Sequence, residues 1–155
     1  MKILLAIAAT LAIAGFAAYH GYLYSLGLYA SDPVYETRAG AIDGYDPVAY
    51  FTQGAPVKGA PGHTLEWNGA TWHFASAANL AAFRLEPERY APQFGGYCAY
   101  AVGNNYTAKS DPQAWHVEGG KLYLNFNAEV QKMWLEKKTG FIASAEKNWP
   151  AVIED

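Results

Sequence analysis

Two stretches of the chain alternate apolar and polar residues with a period of two, and each turns on a tight hairpin signal. In the first, Leu65, Trp67, Ala70, Trp72 and Phe74 fall on one face, with Thr64, Glu66, Thr71 and His73 on the other. Asn68-Gly69 sits at the centre and supplies the positive φ angles of a two-residue turn. The predicted register pairs Trp67 with Ala70, Glu66 with Thr71, Leu65 with Trp72 and Thr64 with His73. His63 then falls opposite Phe74. In the second stretch Gly119-Gly120 is the turn, pairing Glu118 with Lys121, Val117 with Leu122, His116 with Tyr123 and Trp115 with Leu124. Its core face is Trp115, Val117, Leu122 and Leu124, and His116 lies on the other face.

Helical spacing follows each hairpin. Ser76 caps a helix to about Leu85, with Leu80 and Phe83 inward, and Glu86-Pro87 stops it. Asn127 caps a second, to about Lys138, with Val130, Met133, Trp134 and Lys137 on one stripe. Thr139-Gly140 is a stop signal, and a last helix runs from Phe141 to Trp149, ended by Pro150. Asp46-Pro47 opens a short helix earlier in the chain, with Gly54 closing it. Gly95-Gly96 leads into a short helix from Tyr97 to Val102. The fold class is therefore α+β, a small single domain with two β-hairpins each followed by helices. The modest likeness of the two hairpin units suggests a duplication, although no residue-level repeat is evident.

The first residues read differently. Met1-Lys2 precedes an apolar run from Ile3 to Tyr19, continued by Tyr22, Leu23, Tyr24, Leu26, Leu28 and Tyr29. About 20 apolar residues span a bilayer, and tyrosines favour its interface. Residues 1–30 are read as an N-terminal apolar helix that is either an uncleaved anchor or a cleaved export signal. Lys2 on the inner side places the rest outside, in the periplasm or anchored to the inner membrane facing it. Residues 31–42 read as a linker or an edge segment, and the domain as 43–155.

Composition narrows the chemistry. The chain has 155 residues, 52% of them apolar and 15% aromatic, enough for a core. The net charge of −3 gives no support for nucleic-acid binding. Cys98 is the single cysteine, so no internal disulfide forms and no zinc site can be built from several thiolates. Phosphate-binding glycine motifs, paired catalytic carboxylates and a His-Glu-x-x-His helix are absent.

Four blocks in order carry a resemblance. They are Gly44-Tyr45-Asp46-Pro47-Val48-Ala49-Tyr50-Phe51, then Trp67-Asn68-Gly69-Ala70-Thr71-Trp72 with Phe74 and Ser76, then Pro92-Gln93-Phe94-Gly95-Gly96-Tyr97-Cys98-Ala99, and Asp111-Pro112-Gln113-Ala114-Trp115 with Gly120-Lys121-Leu122-Tyr123-Leu124-Asn125. Together they resemble the YHS family in the form found as exported bacterial proteins. The resemblance implies a small metal-binding module. The cysteine positions of its heavy-metal-handling members fall here on Gly44, Ala75 and Asn79. In relatives of the exported branch, the position of Cys98 is similar to that of a special redox residue.

Cys98 is thus the candidate for chemistry. In the first turn of a helix its thiolate gains from the dipole, and as a small apolar residue it also suits a core. His73 and His116 are the candidate metal partners if the polar faces of the hairpins meet. Copper or another soft transition-metal ion suits such a Cys/His set. Asp46, Tyr50, Tyr97 and Tyr100 are candidate pocket-lining residues around Cys98, Asp46 reading first as a helix cap. Three functions remain open at this point: metal-ion binding or redox handling centred on Cys98, a thiol-dependent redox enzyme, and a non-catalytic module that meets another cell-envelope protein.

Overall fold

The computed structural model describes residues 32–153. The expected N-terminal apolar helix and its anchor or signal role lie outside the described residues. Among those described, no helix is long and apolar enough to cross a membrane.

Antiparallel strands β1 (Glu36–Thr37) and β2 (Gly40–Ala41) open the described chain. Val34, Ala41 and Ile42 are buried, so the stretch expected as linker or edge is an edge hairpin that contributes to the core. A short helix α1 (Ala49–Thr52) follows. The first long hairpin is β3 (Ala60–Trp67) with β4 (Ala70–Phe74), in the register expected from Thr64–His73 to Trp67–Ala70. The register then shifts, and Phe74 pairs with Ala60. His63 is therefore not opposite Phe74; the bulge absorbs it. Helices α2 (Ala77–Leu85) and α3 (Pro87–Tyr90) come next, with the Ser76 hydroxyl accepting from the Asn79 N–H at 3.1 Å.

The second half repeats these parts. Helix α4 (Ala99–Gly103) precedes β5 (Asp111–Glu118) and β6 (Lys121–Asn125), again in the expected register and again with a shift, to Asp111–Asn125. Asn127 caps α5 (Ala128–Glu136), accepting from the Val130 N–H at 2.8 Å. The strands, the turn, the cap and the helix directly after each hairpin agree in length, and so do details. Trp72 packs on Phe83 with ring centres 5.2 Å apart, and Tyr123 packs on Trp134 at 5.3 Å. Phe83 and Trp134 are both fully buried, each the anchor of its half. The two halves share this order of parts and this aromatic packing. Aromatic burial of this kind is the main favourable contribution to each half.

Three expectations are corrected here. The second face of β6 is not polar surface: Tyr123 and Asn125 are buried, because α5 and the last helix, α6 (Lys138–Asn148), cover it. Gly140 is no stop, since α6 begins at Lys138 and the break falls at Lys137, whose φ and ψ are −134° and 28°. On α5 the wide stripe contracts: Trp134 is buried but Met133 is 46% exposed.

Candidate functional site

Cys98 sits at the start of α4, not inside its first turn, because Tyr97 is still extended and the helix begins at Ala99. The approach is made by Phe94, Gly95 and Gly96, with φ of 57°, 59° and 82°. A β-carbon on Gly95 would lie 2.0 Å from the Pro33 carbonyl oxygen, and one on Gly96 2.7 Å from Ile42 Cγ2. Only glycine fits this backbone at that spacing.

The same path is traced earlier in the chain by Ile42, Asp43 and Gly44, with φ of 45°, 59° and 73°. Tyr45 N–H donates to Ile42 O at 3.3 Å, as Tyr97 N–H does to Phe94 O at 3.0 Å. Asp46 N–H donates to Val57 O at 2.8 Å, as Cys98 N–H does to Ala108 O at 3.0 Å. Gly44-Tyr45-Asp46 and Gly96-Tyr97-Cys98 are thus equivalent, and a short Gly-Tyr repeat in the sequence marks them. Cys98 holds the place of Asp46.

Asp46 is a fully buried carboxylate. Its Oδ1 accepts from Val48 N–H (2.8 Å) and Ala49 N–H (3.3 Å). Its Oδ2 accepts from Ala75 N–H (2.8 Å) and Asn79 Nδ2 (2.7 Å). Four donors satisfy an ion that would otherwise be costly to bury. Ala75 and Asn79, where metal-handling relatives are expected to place cysteine, therefore meet here around a carboxylate.

Around Cys98 the donors recur. Cys98 is 1% exposed. Burial pushes its thiol pKa up, and the main-chain N–H groups of Ala101, Phe126 and Tyr100 pull against that rise. Tyr100, Ala101 and Phe126 follow the pattern of Val48, Ala49 and Ala75 around Asp46. Beside the sulfur lies Asn125, fully buried, whose Oδ1 is 3.9 Å from Sγ and accepts from the Tyr100 N–H at 3.2 Å. That second bond fixes which end of the amide is oxygen. Asn125 Nδ2 has no partner, the one buried side-chain nitrogen or oxygen among the described residues in that state. An orphaned buried donor costs about 1–3 kcal/mol and calls for an acceptor.

The other candidates lie elsewhere. His73 sets its ring against Gly40, and its β-carbon and main chain lie against Gly59. His116 meets Trp134 edge to face, ring centres 5.9 Å apart, and pairs with Glu118 at 2.9 Å. Lys138 also reaches Glu118, at 2.7 Å, and with His116 holds that carboxyl below its usual range. Neither histidine is brought to Cys98, and no group of three or more His, Cys, Asp or Glu side chains among the described residues is placed to hold a metal ion. A Cys98–His73–His116 metal centre does not fit this arrangement. Tyr50 belongs to the first-half core and donates its hydroxyl to Pro112 O at 3.0 Å; burial raises its pKa. Tyr97 and Tyr100 flank Cys98 in the second-half core. A surface cleft of about 400 Å³ lies between Trp67, Phe94 and Trp149, and Cys98 does not line it.

Asn125 was not singled out from the sequence. Strand alternation puts it with Tyr123 on the face of β6 expected to be polar, so nothing in the local pattern marks it as buried.

Comparison with known proteins places this geometry. Residues 48–94 match the YHS domain family, so the resemblance seen in the sequence holds for that stretch. Cys98, Asn125 and His116 lie beyond it. The chain is similar to the manganese ABC transporter substrate-binding lipoprotein scaA of Streptococcus gordonii, 33% identical over 94 residues. That alignment covers 60% of this chain and 29% of the relative, so this chain matches under a third of that protein's length. No solved structure matches the chain.

Proposed function

We propose that this chain, with its YHS match over residues 48–94, is an extracytoplasmic redox-handling module whose reactive atom is Cys98 Sγ. The observation that carries the reading is the set of donors around the sulfur. A cysteine kept only for packing is walled by carbon. Here the main-chain N–H groups of Ala101, Phe126 and Tyr100 pull the thiol pKa down against burial, and a buried carboxamide lies beside the sulfur with its Oδ1 3.9 Å from Sγ. Burial keeps the resting thiol protonated, and the amides stabilise the thiolate once a proton leaves.

Metal handling is the coarser reading supported by the YHS match and by the relative named for manganese transport. Manganese prefers oxygen ligands, whereas a lone sulfur suits copper(I). The donor set here supports redox chemistry more directly, because it offers one sulfur and no assembled partner ligands among the described residues. The apolar run of the first thirty residues and the relative named as a lipoprotein support an extracytoplasmic setting.

The test is native-state reactivity of the purified full-length chain. Cys98 is expected to react with hydrogen peroxide under conditions where the fold is intact, to give a sulfenic acid trapped by dimedone. Cys98→Ser should give none. Copper(I) titration of the same sample reads the rival: stoichiometric uptake lost in Cys98→Ser favours a soft-metal module. A sulfur that reacts with neither until the chain unfolds leaves a packed scaffold and ends both.

A further inference from the structure

Cysteine sulfinate and aspartate carry the same shape of charge on the same β-carbon, two oxygens sharing one negative charge. Asp46 and Cys98 occupy equivalent places, and Asp46 has four donors for its two oxygens. At Cys98 the amides of Tyr100 and Ala101 correspond to those of Val48 and Ala49, and the amide of Phe126 to that of Ala75. The fourth donor at Asp46 is a side-chain carboxamide, Asn79 Nδ2. At Cys98 a buried carboxamide also stands beside the sulfur, with Asn125 Oδ1 3.9 Å from Sγ and its Nδ2 unpartnered. The neutral thiol leaves the hydrogen-bonding capacity of this cradle unused, since sulfur is a weak acceptor.

We propose that the Cys98 cradle is built to hold the oxidised side chain, and that Cys98 is an oxidation site whose sulfinate is the counterpart of the Asp46 carboxylate. This rests on the redox reading of Cys98 and extends it to a defined product. The oxidant is a hydroperoxide. In the first step the Cys98 thiolate attacks one peroxide oxygen, the O–O bond breaks, and hydroxide leaves; sulfur is oxidised by two electrons to the sulfenic acid. In the second the deprotonated sulfenate attacks another hydroperoxide, a second O–O bond breaks, and hydroxide takes up a proton to leave as water, giving the sulfinate. Its two oxygens then accept from the amides of Ala101 and Phe126, and a turn of the Asn125 carboxamide frees the Tyr100 N–H from Oδ1 and brings the unpartnered Nδ2 to them. No second cysteine is present to divert the sulfenic acid into a disulfide. The chain thereby gains a record of peroxide exposure that ordinary thiols do not erase.

The consequence runs against the usual effect of oxidising a core residue, which is to disrupt packing. Here oxidation tightens the fold. The experiment has two arms on the full chain. In the first, dilute hydrogen peroxide is followed by intact mass and thermal melting. The expected result is a gain of two oxygens confined to Cys98, resistant to dithiothreitol, with a raised melting temperature. In the second, Cys98→Asp, Cys98→Asn and Cys98→Ala are compared by urea unfolding. Cys98→Asp is expected to match or exceed the other two at neutral pH, and to lose that advantage as pH falls through the carboxylate range. The added substitution Asn125→Leu should remove most of the gain in both arms. A Cys98→Asp chain that is unfolded, or far less stable than Cys98→Ala, overturns the proposal. So does a doubly oxidised protein that melts lower. Reversible single oxidation, or copper(I) uptake, without a sulfinate keeps the broader reading of Cys98 and sinks this one.

Discussion

Asn79 Nδ2 lies 2.7 Å from Asp46 Oδ2, tying the first turn of α2 to the entry of α1 across the first half of the domain. This contact completes the coordination of a buried carboxylate, so its loss is felt beyond one helix. Asn79→Ala removes one charge-assisted hydrogen bond and should cost about 1.5–3 kcal/mol. Asp46→Ala strands three main-chain amides and the Asn79 amide, and should cost more, on the order of 4 kcal/mol. Urea unfolding with an unchanged slope checks both. Equal, near-zero costs would show that Asp46 is a solvated cap.

Gly95 and Gly120 both have positive φ, 59° and 78°. An alanine β-carbon at Gly120 meets nothing within 4 Å, whereas at Gly95 it would stand 2.0 Å from Pro33 O and 3.2 Å from the Trp149 ring. Both substitutions carry the left-handed backbone cost of roughly 1–2 kcal/mol. Gly95→Ala should carry a large additional steric penalty, visible as the lower melting temperature of the pair. It should also slow or abolish Cys98 reactivity, because the same glycine sets the approach to that residue.

The pH dependence of stability follows from the raised thiol pKa of Cys98, caused first by burial. In the unfolded chain a thiol ionises near an ordinary pKa of about 8.5. A folded pKa above that value means the contribution of the neutral thiol is fully present below about pH 8.5 and lost as pH rises through the folded pKa. Stability of the wild-type chain should therefore fall more steeply above that pH than stability of Cys98→Ala. Parallel profiles for the two proteins would contradict the buried thiol.

Trp134 and Met133 are neighbours on α5, and sequence spacing puts both on one stripe. The structure separates them, with Trp134 against Tyr123 and His116 and Met133 in solvent. Trp134→Ala should cost about 3–5 kcal/mol, and Met133→Ala within about 0.5 kcal/mol. Chemical denaturation of the two variants side by side measures the contrast.

The hairpins were legible because strand alternation and turn chemistry are local. Asn68-Gly69 and Gly119-Gly120 set both registers next to the turns, and the observed pairs agree. The caps Ser76 and Asn127 were legible for the same reason. What failed was longer in reach. The bulges that move His63 away from Phe74 and the burial of the second face of β6 depend on neighbours distant in sequence. Gly140 reads as a stop, yet α6 runs through it, since helix packing outweighs a propensity of about 1 kcal/mol.

At the candidate site the sequence by itself determined which atom has the chemistry: one sulfur, preceded by two glycines, in a chain with no other cysteine. It also carried the family resemblance. Only the tertiary structure decided what surrounds that sulfur. It kept His73 and His116 away from Cys98, brought Asn125 beside it from another strand, and set Cys98 in the place that Asp46 fills in the other half. The physical reason is that a binding environment is made of directed main-chain amides and buried dipoles. Their directions are set by how distant segments pack, and no local pattern of residue types encodes that.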